Sequence, residues 1–111
     1  MNQLEYKELW DSYDSALVIA CSRQDYARAE SLLFAALKES EDLGELDGRL
    51  VDVSHGIADA CISQTRLSHA RDIYYQVLET VEKILGTGHP ACLRILAKLT
   101  LLRSSRGLQA S

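Results

Sequence analysis

Apolar residues recur at steps of three and four along most of the chain, with polar residues between them. This spacing lines one face of a helix with apolar side chains. It predicts five helices, at residues 4–22, 26–43, 47–64, 67–85 and 90–106. The short connections between them favour antiparallel neighbours. No segment alternates for long enough to predict a strand, so the pattern indicates an all-α fold in a single domain over residues 1–111.

Residues that favour helix ends stand at the predicted boundaries. Gly44 adopts a positive φ at no steric cost and is expected to end the second helix. Asp47 is the predicted N-cap of the third helix, and Pro90 the predicted first residue of the fifth. Gly107 is expected to end the fifth helix. Gly56 lies inside the third helix and is expected to weaken it by about 1 kcal/mol relative to alanine.

Two local patterns repeat along the chain at nearly the same interval. Asp25-Tyr26-Ala27-Arg28-Ala29 and Arg66-Leu67-Ser68-His69-Ala70 lie forty-one residues apart, and each leads from a polar turn into an amphipathic helix. Leu43-Gly44 recurs as Leu85-Gly86 after forty-two residues. A fixed period near forty residues is typical of helical repeat arrays. Such arrays usually bind other macromolecules, so the sequence predicts a class of function without naming the partner.

The helix pairs resemble tetratricopeptide repeats, whose units each consist of two antiparallel helices, A and B. Asp25-Tyr26 and the following Ala29 resemble the turn and the small residue that open helix B of the first unit. Leu85-Gly86-Thr87-Gly88-His89-Pro90 is similar to the forty-two-residue repeats of the kinesin light chain subtype. Further positions that match the family's signature are Leu33, Ala36, Ala58, Ala70, Tyr74 and Val77. Leu17 and Thr100 depart from it, because the family usually has small residues there.

This resemblance implies a short right-handed superhelix of two units, 4–43 and 47–85, followed by a capping helix at 90–106. In this family the A helices line a concave groove. When the family's groove positions are transferred to this sequence, the groove would contain Asp11, Asp14, Ser15, Val18, Asp52, His55, Asp59, Arg94 and Lys98. The resemblance therefore implies a protein–protein interaction module, an adaptor or scaffold that binds a partner protein or peptide through this groove.

The carboxylates of the predicted groove suggest the chemistry of its partner. Asp52, His55 and Asp59 are spaced i, i+3 and i+7, which places them on one helix face independently of any family. Carboxylates in a concave surface steer cations more strongly than isolated charges do. We expect a basic or mixed-charge peptide as the partner. The alternative is a solvated acidic face without a binding role.

Charge is unevenly distributed along the chain, whose net charge is −4. All 16 acidic residues precede residue 90, whereas residues 90–111 contain four basic residues and no acidic one. The negative total indicates no nucleic-acid partner. An acidic body and a basic last helix favour, as an alternative function, a homo-oligomeric scaffold assembled through the terminal helices. The copies would join head to tail, or form a homodimer across a two-fold axis.

Catalysis has little support in the sequence. His55 and Asp59 are spaced i, i+4, but they have no third partner, so a surface hydrogen bond between them is expected. No Gly-rich phosphate loop, nucleophile turn or paired-histidine helix occurs. We therefore predict no enzymatic activity, cofactor or bound metal. A small regulatory or enzymatic protein that uses His55 and the carboxylates near it is the least favoured alternative.

Cysteine usage and hydropathy indicate a cellular location. Cys21, Cys61 and Cys92 fall on or beside apolar stripes, which predicts buried free thiols and a reducing compartment. The polar, acidic start shows no secretory signal. No apolar run approaches the roughly 20 residues that span a bilayer. A cytoplasmic location without a membrane partner is expected.

Two large side chains are candidate anchors for a partner. Trp10 belongs either to the core or to the surface, where tryptophan is favoured at interfaces. Leu101 and Leu102 stand side by side in the last helix, so one of them is expected to be exposed. We take Trp10 and Leu101 as the candidate exposed anchors.

Overall fold

The computed structural model describes residues 2–103 with their side chains, and the helical backbone as far as residue 110. Within that part of the chain no strand occurs, which confirms the all-α fold. The bounds of the first four helices agree with the prediction within one residue. The predicted stop at Gly107 falls inside the bounds of the fifth helix, among residues whose side chains lie outside the described part. The helices are α1 (Gln3–Ser22), α2 (Tyr26–Leu43), α3 (Gly48–Ser63), α4 (Leu67–Leu85) and α5 (Pro90–Ala110).

Each helix packs mainly on the one or two helices before it. The first pair, α1 and α2, is covered by α3; α4 then packs on α2 and α3, and α5 packs on α4. The backbone extends over 53 × 35 × 16 Å. This flat, elongated outline agrees with helices added side by side along one direction, in which each helix depends on its nearest neighbours.

The turns α1–α2 (23–25) and α3–α4 (64–66) have the same geometry. Their middle residues, Gln24 and Thr65, are both left-handed, with φ of 58° and 59°. Each turn forms a Schellman motif, in which two backbone N–H groups bond back to carbonyls of the preceding helix. The bonds run from Asp25 to Ala20 (2.9 Å) and Gln24 to Cys21 (3.0 Å), and from Arg66 to Cys61 (2.8 Å) and Thr65 to Ile62 (2.9 Å). The forty-one-residue repeat of sequence is therefore also a repeat of backbone conformation.

The turns α2–α3 and α4–α5 differ, although their sequences match more closely. Gly44 has φ 71° and ψ 20°, as predicted for a left-handed helix end, whereas Gly86 has φ 93° and ψ 159°. In the second turn the Nδ1 atom of His89 accepts a hydrogen bond from the N–H of Ala91 at 3.1 Å and caps α5. Pro90 begins that helix as predicted. The shared Leu-Gly pair therefore ends both helices without fixing the path of the chain that follows.

Small side chains lie in the core between the helices. Large residues of all five helices fill the remaining core, and they include Leu17, Leu33, Ile57, Ile73, Tyr74, Val77 and Ile95. Because alanine lets two backbones approach closely, small residues at these positions allow the dense packing of neighbouring helices. The alanines without exposed surface are Ala29, Ala36, Ala58 and Ala70.

Trp10 belongs to this core, so its assignment as an exposed anchor is wrong. Only 5% of its surface is exposed, and its ring stacks on Tyr13 with the centroids 5.9 Å apart. Leu17 and Ala20 lie on the same buried side of α1. The large apolar area of the indole is removed from water more completely on that side than on any outward face.

Glycine at the middle of either repeated turn is expected to stabilise the fold by about 0.5–1 kcal/mol. A side chain is disfavoured at positive φ, and a β-branched one more so. Thr65→Gly should therefore gain more than Gln24→Gly in urea denaturation followed by circular dichroism. Gln64→Gly is the control, because Gln64 has φ −94° and gains nothing from glycine. An equal gain at positions 64 and 65 would contradict this account.

Gly56→Ala is expected to stabilise α3 by about 1 kcal/mol, the difference in helix propensity between the two residues. Apart from its chain neighbours and the nearby backbone of α3, a Cβ at this position would meet no atom within 4 Å, so no close helix approach requires the glycine. The same denaturation measurement checks this expectation. A destabilised variant would show that the position makes a contact which the structure does not contain.

Candidate functional site: the charged face of α1, α3 and α5

An arginine at the start of α3 joins α3 to α1. The guanidinium of Arg49 lies 2.8 Å from Asp11 and 3.9 Å from Asp14, and it also pairs with the N-cap Asp47 at 3.0 Å. Lys7 binds the other oxygen of Asp11 at 2.8 Å. Hydrogen bonds from Lys7 and Arg49 lower the pKa of Asp11, and Arg49 lowers that of Asp47. The two predicted carboxylates of α1 are thus brought together, with cations already beside them.

A second arginine joins α5 to α3. The Nη1 atom of Arg94 lies 3.5 Å from Asp52 Oδ1, so these two predicted residues also meet. Both side chains are more than half exposed, and exposed ion pairs contribute only about 0–1 kcal/mol. The two arginine bridges connect α1 to α3 and α3 to α5, so charged side chains of the three helices share one surface. We call this surface the charged face; it contains Asp11, Asp14, Asp52, Asp59, Arg49, Arg94 and Lys98.

The charged face is of mixed sign, which refines the expectation of an acidic groove. Asp11, Asp14 and Asp52 each have an arginine within ion-pair distance. Asp59 is exposed, and no ion pair to it occurs within residues 2–103. Arg49 was not among the residues predicted from the sequence. Its position three residues before Asp52 on the same helix was the signal that could have found it, because that spacing shares a face.

Apolar and small side chains border the charged face. Ser15 is exposed, and Val18 is 54% exposed on α1. Leu101 is 61% exposed on α5, whereas Leu102 is buried, so the prediction that one of the pair is exposed is confirmed. Of the two candidate anchors, Leu101 thus remains available to a partner.

His55 is buried, so its expected surface hydrogen bond to Asp59 is wrong. Only 5% of its surface is exposed, and its Nδ1 atom lies 3.2 Å from the hydroxyl oxygen of Tyr74. Its Nε2 atom is buried without a hydrogen-bond partner in the described part of the chain. The reason is packing: α4 places the fully buried Tyr74 against this side of α3, with the two ring centroids 5.3 Å apart.

Burial and nearby cations disfavour the charged form of His55. Burial lowers its pKa most, and the positive charges of Arg94 and Lys98 lower it further, while Asp59 and Asp52 oppose them. Burial and Asp59 together raise the pKa of Tyr74 to about 12. At neutral pH the pair is therefore an uncharged hydrogen bond beneath the charged face.

The three cysteines are free thiols with suppressed ionisation. Cys61 and Cys92 are buried as predicted, whereas Cys21 is only half-buried. Burial is the main cause that raises the pKa of all three, and the carboxylate of Glu30 helps to raise that of Cys61 to about 11. Thiols are nucleophiles and metal ligands only as thiolates. Within residues 2–103 no group of three or more His, Cys, Asp and Glu side chains is placed to hold a metal ion.

Comparisons with protein-family models, with curated proteins and with solved structures give no match. In the described part of the chain, no helix has the length and apolar character needed to cross a membrane. The tetratricopeptide resemblance therefore stays a prediction.

The stability of the fold is expected to fall as the pH drops below 6.5, the ordinary pKa of histidine. In the folded protein the pKa of His55 is lowered, so the unfolded chain binds this proton first and is favoured by acid. Thermal unfolding between pH 8 and pH 5 measures the effect. His55→Asn should remove this part of the pH dependence. The same slope in the natural protein and in His55→Asn would contradict the assignment to His55.

Proposed function

We propose that this chain is a tetratricopeptide-like interaction module, an adaptor or scaffold that binds a partner protein or peptide through the charged face. In this proposal the helix pairs stack as a short right-handed superhelix of two units and a capping helix. The observation that carries it is the pair of arginine bridges, Arg49 to Asp11 and Arg94 to Asp52. They support a continuous surface across α1, α3 and α5, which would be the A helices. The identical turns at Gln24 and Thr65 support the repeat.

Most carboxylates of the charged face already contact an arginine, which favours a mixed-charge partner over a purely basic one. At three of the four carboxylates of this face, a basic peptide would have to displace Arg49 or Arg94, which already contact them. A partner peptide with both positive and negative side chains can replace one exposed ion pair by another. Complementary charges of this kind contribute mainly to the specificity and the rate of association. Val18 and Leu101 would contribute the apolar contacts at the two ends of the face.

The environment of His55 favours binding over catalysis. A catalytic base must come within hydrogen-bond distance of the proton it removes from a substrate. The Nδ1 atom of His55 is instead engaged with Tyr74, and its Nε2 atom has almost no accessible surface. We therefore assign His55 to the support of the charged face and propose no enzymatic activity. The three free thiols support a reducing compartment, which agrees with the proposed cytoplasmic location.

Replacement of the two exposed carboxylates of α3 by lysines is expected to weaken peptide binding about tenfold or more, equivalent to about 1.4 kcal/mol. Peptides are selected from a displayed random library with the natural protein, and the affinity of one selected peptide is measured by calorimetry. Asp52→Lys with Asp59→Lys is the variant of the charged face. Asp42→Lys with Asp72→Lys changes the same charge at exposed positions of α2 and α4.

The matched pair separates a local effect from a change in net charge. Only the charged-face variant should lose affinity, and circular dichroism should show that both variants keep their helices. Equal affinity and equal salt dependence in the charged-face variant would place the binding site elsewhere. An equal loss in both variants would indicate attraction by the total charge of the protein.

A further inference from the structure

Exposed apolar side chains are concentrated on the first and last helices of the packing order. Of the nine large apolar residues that are exposed in the described part, six belong to α1 or α5. They are Leu4, Val18, Ile19, Leu93, Leu96 and Leu101. Val18 and Leu101 border the charged face, whereas Leu4 and Ile19 on α1 and Leu93 and Leu96 on α5 lie away from it. These four side chains are exposed in the described part of the chain.

A groove runs between α4 and α5 on the side of α5 that faces away from Arg94, Lys98 and Leu101. Its volume is about 400 Å³, and its floor includes Tyr75 and Leu96, which are 52% and 44% exposed. Arg71 and Arg103 also line it, and neither has a carboxylate within ion-pair distance inside residues 2–103. The remaining lining residues are Leu99 and Thr100. We call this the terminal groove.

The interior of the protein shows what such a groove accommodates. The groove between α2 and α3 precedes the terminal groove by one repeat, and α4 packs on both of its walls. Its wall carries Glu30, forty-one residues before Arg71. His69 of the covering helix lies 3.3 Å from this carboxylate. A groove of this kind therefore takes a helix, with a basic group placed opposite Glu30.

In the terminal groove the sign of the charge is reversed. Arg71 takes the place of Glu30, and Arg103 is a second cation on the other wall. A helix that covers this groove must then present a carboxylate where α4 presents His69. An apolar helix without that carboxylate would leave two cations near low-dielectric surface without a partner, which is costly.

The outer side of α1 has the required composition. Leu4, Glu8, Ser12 and Ile19 are exposed, and their spacing places them along one stripe of the helix. The carboxylate of Glu8 lies between two apolar ends, and α1 as a whole contains four acidic residues and one basic residue. The stripe therefore complements the terminal groove in hydropathy and charge.

We propose that the terminal groove binds α1 of a second copy of this chain, with Glu8 facing Arg71 and Arg103. The contact is head to tail, because it joins two different surfaces. Contacts of this type continue from copy to copy, unless the rotation that relates neighbouring copies closes the assembly into a ring. The proposal goes beyond peptide binding at the charged face and uses the opposite side of α5, so the two can fail separately.

Association is tested by light scattering after size exclusion, at protein concentrations from about 10 to 300 μM. For a small, partly polar interface we expect a dissociation constant of the order of tens of micromolar, so the mean mass should rise at least twofold over this range. Arg71→Glu with Arg103→Glu reverses the charge of the groove from positive to negative. Glu8→Arg with Ile19→Ser alters the stripe on α1. Each variant alone should stay monomeric, and circular dichroism should show intact helices.

Mixing the two variants gives the decisive measurement. The groove variant keeps an intact α1 and the α1 variant keeps an intact groove, so an equimolar mixture should form a dimer and nothing larger. Arg28→Glu with Lys38→Glu, on exposed positions of α2, is the control for net charge and should assemble like the natural protein. A natural protein that is monomeric at 300 μM would overturn the proposal. The proposal would also be overturned if the mixture formed no dimers. A two-fold dimer that persists in the variant Glu8→Arg with Ile19→Ser would overturn it as well.

Discussion

The three-residue turn used twice in this chain constrains the rest of the structure. Each copy ends one helix and begins the next within residues 23–25 or 64–66, and each pays the strain of a non-glycine residue at positive φ. In return, two carbonyls of the preceding helix receive N–H partners, and the following helix starts in a fixed direction. Ala29 and Ala70 then fall at the same point of the next helix and are both fully buried. A different turn would change all contacts between the two helices that it joins, including the contact of Tyr74 on α4 with His55 on α3.

The features that the sequence predicted are those set by neighbours along the chain. Helix bounds follow from apolar spacing and from local caps such as Asp47 and Pro90, so they were accurate within one residue for the first four helices. The left-handed residues were not predicted, because Gln24 and Thr65 lack the glycine that usually marks this conformation. Conversely, the closely matched pairs Leu43-Gly44 and Leu85-Gly86 lead into turns of different conformation.

The candidate site was harder to predict, because burial depends on which helix packs where. Spacing placed His55 on the same face as Asp52 and Asp59, and that relation holds along α3. It could not show that α4 would place Tyr74 against the ring and remove the histidine from the surface. The burial of Trp10 has the same cause, since several neighbouring helices together decide which side of α1 is covered. Arg49 was missed because the partners that give it a role, Asp11 and Asp14, lie on another helix.

Charge has different roles inside the stack and on its outer sides. Inside, Glu30 meets His69, and Lys83 bridges Glu41 of α2 and Glu79 of its own helix, so carboxylates of one helix meet basic groups of the next. At the terminal groove Arg71 and Arg103 have the opposite sign and no such neighbour in residues 2–103. The two ends of the helix stack therefore differ in charge, since α1 is acidic and α5 is basic. Because the terminal groove and the charged face use opposite sides of α5, a peptide on the charged face would leave the groove open to a second copy. Copies joined in this way would repeat the charged face along the assembly, and a partner with several binding segments would then gain affinity from each additional copy.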